Sequence, residues 1–349
     1  MAETGGNSGG DGAPRSAWFT GAAVGVVVVL LLGVALFTGV ARNSGRNNPY
    51  KYDSEKYEKT DPALLKYKQV GKLEPGMREP RAIAVAADGR ALVAGDRMVR
   101  CFNAKGEQEA EWTVDGAPAA LFFGAERFYV VFDQSVEIYD FGRKRIAAWS
   151  EFGPKARLTG GVEAGEHVWL TDSGRKALLK CSREGRVISE LGAANEADPE
   201  GFVVYKTRMA AAVGVVKGEV ASGQERTFWV SNPGKHRVEE WRTDGIRLRA
   251  WGGSGMQIER FSSCCNPCAL AVLPDGDIVT AEHALPRVKV YSPEGKLQSV
   301  VAGVELLRGN MQDEKTPNKP QLNLAADSAG RIYVLDPAEG AVRIFKRKE

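Results

Sequence analysis

One stretch of the chain carries no charge at all. Trp18 to Val40 runs WFTGAAVGVVVVLLLGVALFTGV without an acidic or basic side chain. As a helix at about 1.5 Å per residue it reaches roughly 34 Å, enough to cross a hydrocarbon core of about 30 Å. It is longer than the roughly 7–15 residues of a signal-peptide core. It also runs into Ala41-Arg42-Asn43-Ser44-Gly45-Arg46 rather than a small-residue cleavage site. The pattern predicts an uncleaved, single-pass transmembrane helix over 18–40. Residues 1–17 are Gly-, Ser- and Asn-rich and cannot bury a core, so they read as a disordered tail. Residues 41–66 are polar and turn-rich and read as a linker to the membrane.

From Tyr67 onward a different pattern recurs. Apolar runs of four to six residues alternate with Gly turns, as in PRAIAVAADGRALVAG, PCALAVLPDGDIVTAE and QLNLAADSAGRIYVLD. Each is followed by an alternating strand such as HRVEEW, PRVKVY or AVRIF, a second Gly turn and a more polar strand. Alternation bounded by tight turns is the β-hairpin signal. Six such units of about 47 residues each fit the spacing of four-stranded propeller blades. Phe102, Cys181, Trp241 and Tyr291 fall at one position of the repeat, which predicts a packing site between blades. The last unit ends after its third strand at Phe345. Tyr67 to Leu73, ahead of the first unit, supplies a strand that can close the ring and remove an open edge. The expected fold is therefore all-β: a six-bladed β-propeller over 67–349 behind an N-terminal transmembrane helix.

Composition agrees with that reading. The 349 residues are 43% hydrophobic with 40 Gly and 16 Pro, which favours strands and turns over helices. A net charge of +3, with acids and bases nearly balanced, gives no electrostatic case for nucleic acid as a partner.

The repeat resembles the NHL family of six-bladed propellers. The residues that carry the likeness are Val230-Ser231-Asn232-Pro233-Gly234-Lys235-His236-Arg237-Val238, with Leu170-Thr171-Asp172 and Val334-Leu335-Asp336 repeating its first half. Phe261 to Arg287 resembles more narrowly the bacterial membrane-anchored NHL proteins that carry a Cys-Cys-Asn-Pro loop. That resemblance implies a bacterial inner-membrane protein with its propeller on the periplasmic side. The charge count points the other way, because Arg42, Arg46, Lys51 and Lys56 follow the span and only Arg15 precedes it.

Candidate chemistry concentrates in one place. Cys264-Cys265-Asn266-Pro267-Cys268 puts three of the five thiols within five residues, before the inner strand of the fifth unit. In a propeller that connection and the hairpin Glu282-His283-Ala284-Leu285-Pro286 share a face, at one mouth of the central channel. Four readings stay open. Cys265 and Cys268 have the spacing of a redox pair. Cys264, Cys265 and Cys268, with His283 and Glu282, form a candidate metal set for zinc or an iron–sulfur cluster. Cys264 and Cys265 are placed for a vicinal disulfide, and all three thiols could be inert packing. Cys101 and Cys181 read as packing, and His167 and His236 as structural.

Two functions follow. One is a membrane-tethered binding module whose Cys-bearing channel mouth, crowded by insertions at 192–206 and 304–319, meets a protein partner with redox or metal chemistry. The other is a metal-dependent lactonase or hydrolase of the gluconolactonase-like group, with Glu79, Asn266 and Asn323 as ligands. No nucleophile–base pair is legible in the sequence.

Overall fold

The computed structural model describes residues 55–150, 152–193, 201–205, 208–213, 227–311 and 320–349. The tail, the Trp18–Val40 segment and most of the linker lie outside the described residues. Among the described residues no helix is long and apolar enough to cross a membrane.

Six four-stranded antiparallel sheets follow one another along the chain. Strand β1 (Tyr67–Leu73) comes first, and blade 1 follows as β2 (Pro80–Val85), β3 (Ala91–Gly95), β4 (Met98–Phe102) and β5 (Gln108–Thr113). Blade 2 is β6 (Ala120–Phe123), β7 (Arg127–Val131), β8 (Val136–Asp140) and β9 (Arg145–Trp149). Blade 3 is β10 (Leu158–Ala164), β11 (His167–Asp172), β12 (Ala177–Cys181) and β13 (Val187–Leu191). Blade 4 is β14 (Ala211–Ala212), β15 (Thr227–Asn232), β16 (Arg237–Arg242) and β17 (Arg247–Gly252). Blade 5 is β18 (Ala269–Val272), β19 (Ile278–Ala281), β20 (Val288–Tyr291) and β21 (Leu297–Ala302). Blade 6 is β22 (Asn323–Ala326), β23 (Ile332–Asp336) and β24 (Ala341–Arg347), with β1 as its outer strand. That pairing, from Tyr67 opposite Arg347 to Leu73 opposite Val342, joins the two ends of the domain and closes the ring. The inner strands β2, β6, β10, β14, β18 and β22 touch their neighbours in a closed circle and enclose the channel.

Blades pack through their faces, and each interface is an apolar cluster drawn from two adjacent sheets. Between blades 4 and 5, for example, Trp229 and Val238 meet Phe261, Leu270, Ile278 and Tyr291. The repeated third-strand position is occupied by Phe102, Tyr139, Cys181, Trp241, Tyr291 and Phe345, all buried. In all six blades the pairing of third and fourth strands shifts register at this residue. Such a bulge adds twist, which suits a blade whose outer strand is rotated from its inner one. In two places a turn glycine of one blade lies on a Trp near the end of the preceding blade's fourth strand. Gly185 (φ +91) lies over Trp149 and Gly295 (φ +83) over Trp251, where an added Cβ would sit 2.3 and 2.5 Å from the indole Cγ. Only glycine satisfies both the positive φ and the close approach.

Residues 55–66, the end of the sequence-predicted linker, pack onto the propeller. The Thr60 amide donates to Glu305 Oε1 at 2.8 Å, Arg308 pairs with Glu58 at 2.8 Å, and the Lys348 amide donates to the Lys66 carbonyl. Glu305 belongs to the short helix α1 (Val304–Leu307), within the predicted insertion at 304–319.

Candidate functional site

The signature read from the sequence has a structural cause. At or just past the end of the second strand in five blades, a polar side chain accepts backbone amides of the incoming connection or of the hairpin that follows. Asp172 accepts from the amides of Arg157, Gly174 and Arg175, and Asn232 from that of Val203. Asp96 accepts from the amides of Arg78 and Glu79, and Asp336 from that of Glu339. Seven residues on, the third strand supplies a partner: Arg343 for Asp336 at 2.7 Å and Glu239 for Asn232 at 2.8 Å. Where Asp becomes Asn, the partner changes from cation to carboxylate, so the buried pair stays complementary.

Blade 5 uses Glu282 in this role, with Lys289 seven residues on. The Glu282 carboxylate is fully buried and accepts five bonds: the Ser262 amide (2.7 Å) and hydroxyl (2.9 Å), Arg287 Nε (2.9 Å) and Nη2 (2.8 Å), and Lys289 Nζ (2.8 Å). Burial opposes its ionisation, but Lys289 and Arg287 outweigh that and hold the carboxyl below its usual range. Lys289 also donates to the carbonyls of Ile258 and Arg260, and its ammonium lies over the rings of Phe261 and Tyr291. Glu282 is thus the latch that docks the loop 256–262, and it has no free lone pair to offer a metal. The expectation that it is a ligand is corrected on that ground.

The cysteine loop follows this latch directly. Its Asn266–Pro267 bond is cis. The Asn266 side chain is fully buried; it donates to the carbonyls of Ser262 and His283 (2.9 Å for the latter) and accepts from the His283 amide at 2.8 Å. These bonds place the loop and the Glu282–Pro286 hairpin on one rim, as the strand order predicts. His236, in the αL conformation at the blade 4 hairpin, touches the Ser263 carbonyl through Nε2.

Within the loop the thiols part company. Cys264 is exposed, Cys265 is half-buried, and their Sγ atoms are 3.2 Å apart. Cys268 is buried, with its thiol donating to the Ala281 carbonyl at 3.3 Å. Cys265 therefore faces Cys264, and Cys268 is committed to backbone. Burial and the neighbouring Cys264 push the Cys265 thiol up to about 12, and burial pushes Cys268 up to about 12. A reactive Cys-x-x-Cys pair needs the opposite shift.

The five-residue metal set is not assembled either. Glu282 is saturated by protein donors and the Cys268 thiol is bonded to backbone. Among the described residues no group of three or more His, Cys, Asp or Glu side chains is arranged to hold a metal. A zinc or iron–sulfur centre wants about four such donors. Two soft donors, Cys264 and Cys265, remain together on the rim. The lactonase trio does not converge: Glu79 pairs with Arg81 on the surface, Asn266 is consumed as described, and only Asn323 lines the channel. Cys101 and Cys181 are buried packing residues, and burial pushes Cys181 up to about 12.

The channel is lined by all six inner strands and holds a cavity of about 160 Å³. Its walls are small and apolar, with Ala84, Ala120, Ala211, Ala271 and Ala325 among them, and the described lining carries no histidine or carboxylate. Polar groups gather at the mouth, where Thr159, Arg208, Cys268 and Asn323 meet. Arg208 donates from Nη1 to the Arg81 carbonyl of blade 1 at 3.0 Å, and from Nη2 to the Ala119 carbonyl and, at 3.5 Å, the Thr159 carbonyl. Sequence reasoning passed over Arg208, which sits in no motif and just ahead of the shortest inner strand.

Fold and lining together define the class: an all-β, six-bladed propeller with a narrow apolar channel. Solved structures similar to it are virginiamycin B lyase from Staphylococcus aureus (TM-score 0.52, 10% identity, 81% of this chain and 99% of that one) and a catalytically inactive variant of that enzyme with quinupristin (0.53, 10%, 81% and 100%). A streptogramin B lyase is similar at the same level (TM-score 0.54, 10%, 82% and 100%). At that identity the likeness establishes the propeller fold. No family model and no curated protein matches the sequence.

Proposed function

We propose that this protein is a membrane-anchored binding module whose working surface is the rim of blade 5. Trp18–Val40 tethers it in a bacterial inner membrane with the propeller on the periplasmic side. The observation that carries the reading is the Cys264–Cys265 pair: two thiols 3.2 Å apart, one exposed, on a loop fixed from beneath by Glu282, Arg287 and Asn266. A rigid scaffold presenting a reactive loop is the usual layout of a recognition site.

The partner is a protein with an accessible disulfide. The Cys264 thiolate attacks one partner sulfur, forming a mixed disulfide and releasing a partner thiolate. Cys265 then loses its proton and attacks Cys264 Sγ; the Cys264–Cys265 bond forms and the second partner thiolate leaves. Two electrons pass from the dithiol to the partner. Burial of Cys265 disfavours its thiolate, so the second step is slow. A long-lived mixed disulfide suits holding a partner more than turning one over.

The lyase activity of the structurally similar enzymes finds little support here, since the described channel lining offers no histidine or carboxylate as general base. The test is glutathione disulfide treatment of the full chain in membranes, followed by thiol counting in urea, where every reduced thiol reacts. Cys264 and Cys265 should both become protected from alkylation, and Cys265→Ser should accumulate a mixed adduct at Cys264 that dithiothreitol releases. Both thiols remaining alkylatable would remove the proposal.

A further inference from the structure

Among the described residues Arg208 has no carboxylate partner. It is part-buried at the channel mouth, and its protein partners are the carbonyls of Arg81, Ala119 and Thr159. Three carbonyl contacts use both terminal nitrogens and leave Nε, and part of Nη1, without a protein acceptor. The surroundings do not neutralise the charge. Burial disfavours the cation, Cys268 and Asp133 favour it, and Arg81 and Arg157 add to the positive potential. Carbonyl dipoles compensate a full charge only in part.

A channel cavity with mostly apolar side chains lies next to this cation. The cavity of about 160 Å³ runs along the inner strands, from Ile83 to Val85 and from Asn323 to Ala326, between walls of alanine, valine and leucine. A dry cavity of about 150 Å³ accommodates a molecule the size of benzene. The unspent Nε–H at one end can donate a charge-assisted hydrogen bond to a carboxylate oxygen.

We propose that the central channel is a receptor for a small monocarboxylate with a short apolar tail, its head on Arg208 and its tail between the inner strands. The site is separate from the rim dithiol and stands whether or not that pair reacts. The described lining holds no general base, so the assignment is binding and not turnover. Asn323, whose side-chain amide donates to the same Arg81 carbonyl at 3.3 Å, helps fix the acceptor that orients Arg208.

The experiment uses butyrate as probe and butyramide, its neutral isostere, on the full chain in detergent at constant ionic strength. Titration calorimetry should detect saturable butyrate binding, at least about tenfold tighter than butyramide. Arg208→Gln should abolish it while leaving the circular dichroism spectrum unchanged. If that variant does not fold, arginine modification of the unaltered protein by phenylglyoxal, mapped by mass spectrometry, decides. Butyrate at ten times its dissociation constant should slow the reaction at Arg208 about tenfold. Absence of butyrate binding, equal binding of butyramide, retained binding in Arg208→Gln, or a modification rate at Arg208 that butyrate does not change would each overturn the proposal.

Discussion

Glu282→Gln tests whether the blade 5 carboxylate is a structural latch. The substitution keeps size and shape and removes one charge. Five donors converge on the native carboxylate, and the side chains of Glu282, Arg287 and Lys289 are all at most 2% exposed. An amide group there turns an NH2 toward donors and leaves two buried cations without an anion. Removing one partner of a buried ion pair costs about 3–5 kcal/mol. For a domain of this size that lowers Tm by roughly 6–15 °C. Because Ser262 is released, the cysteine loop should also loosen, and Cys265 should alkylate faster than in the parent protein. A control replaces Glu282, Arg287 and Lys289 together by Met. A buried charge network exchanged for apolar side chains is often close to neutral, so this triple variant should melt above the single one. Scanning calorimetry of the full chain in detergent gives both numbers. A Glu282→Gln loss below about 1 kcal/mol would refute the latch, since it would mean that the buried cations do not need the carboxylate.

Other expectations follow from the same geometry. Gly295→Ala should cost roughly 2–4 kcal/mol, combining a left-handed φ with a Cβ 2.5 Å from Trp251, whereas Gly330→Ala (φ +74, nothing within 4 Å) should cost only about 1–2; equal denaturation midpoints would contradict the account of blade contacts. Deleting residues 1–54 should leave a cooperatively melting propeller, while deleting 1–73 removes β1 from its pairing with β24 and should broaden or abolish the transition in circular dichroism. Cys265 and Cys268 should resist iodoacetamide at pH 9, where a thiol at about 12 is ionised in roughly one molecule in a thousand, but react in urea, where half are ionised at a pKa of 9. The sign for stability follows. The folded thiols keep protons that the unfolded chain releases between about pH 9 and 12, so this contribution is complete below pH 9 and is lost as pH rises through 12; native alkylation of Cys265 as fast as in urea at pH 9 would contradict it.

The fold was legible because its determinants are local. Period-2 alternation, turn glycines and the recurring aromatic position are set by each blade's own pleat and by contact with the next blade, so they repeat in the linear sequence. The short last unit announced its own closure, since three strands without a fourth leave an edge that Tyr67–Leu73 fits. The rim could also be placed, because alternating antiparallel strands put the Cys264–Cys268 loop and the Glu282–Pro286 hairpin on one face. What each side chain does there was decided only in three dimensions. Glu282 sits beside the cysteines in projection, but Ser262, Arg287 and Lys289 claim both of its oxygens, and no spacing rule reports that a carboxylate is already saturated. Cys265 and Cys268 have redox spacing, yet the backbone turns Cys268 to the Ala281 carbonyl and leaves Cys265 against Cys264. Arg208 has no sequence signal at all, since its charge is notable only because three carbonyls from other blades surround it and, among the described residues, no carboxylate pairs with it. Spacing along a strand dictates which face a residue occupies; whether its charge is met there depends on groups brought in from distant parts of the chain, and only the tertiary structure supplies those.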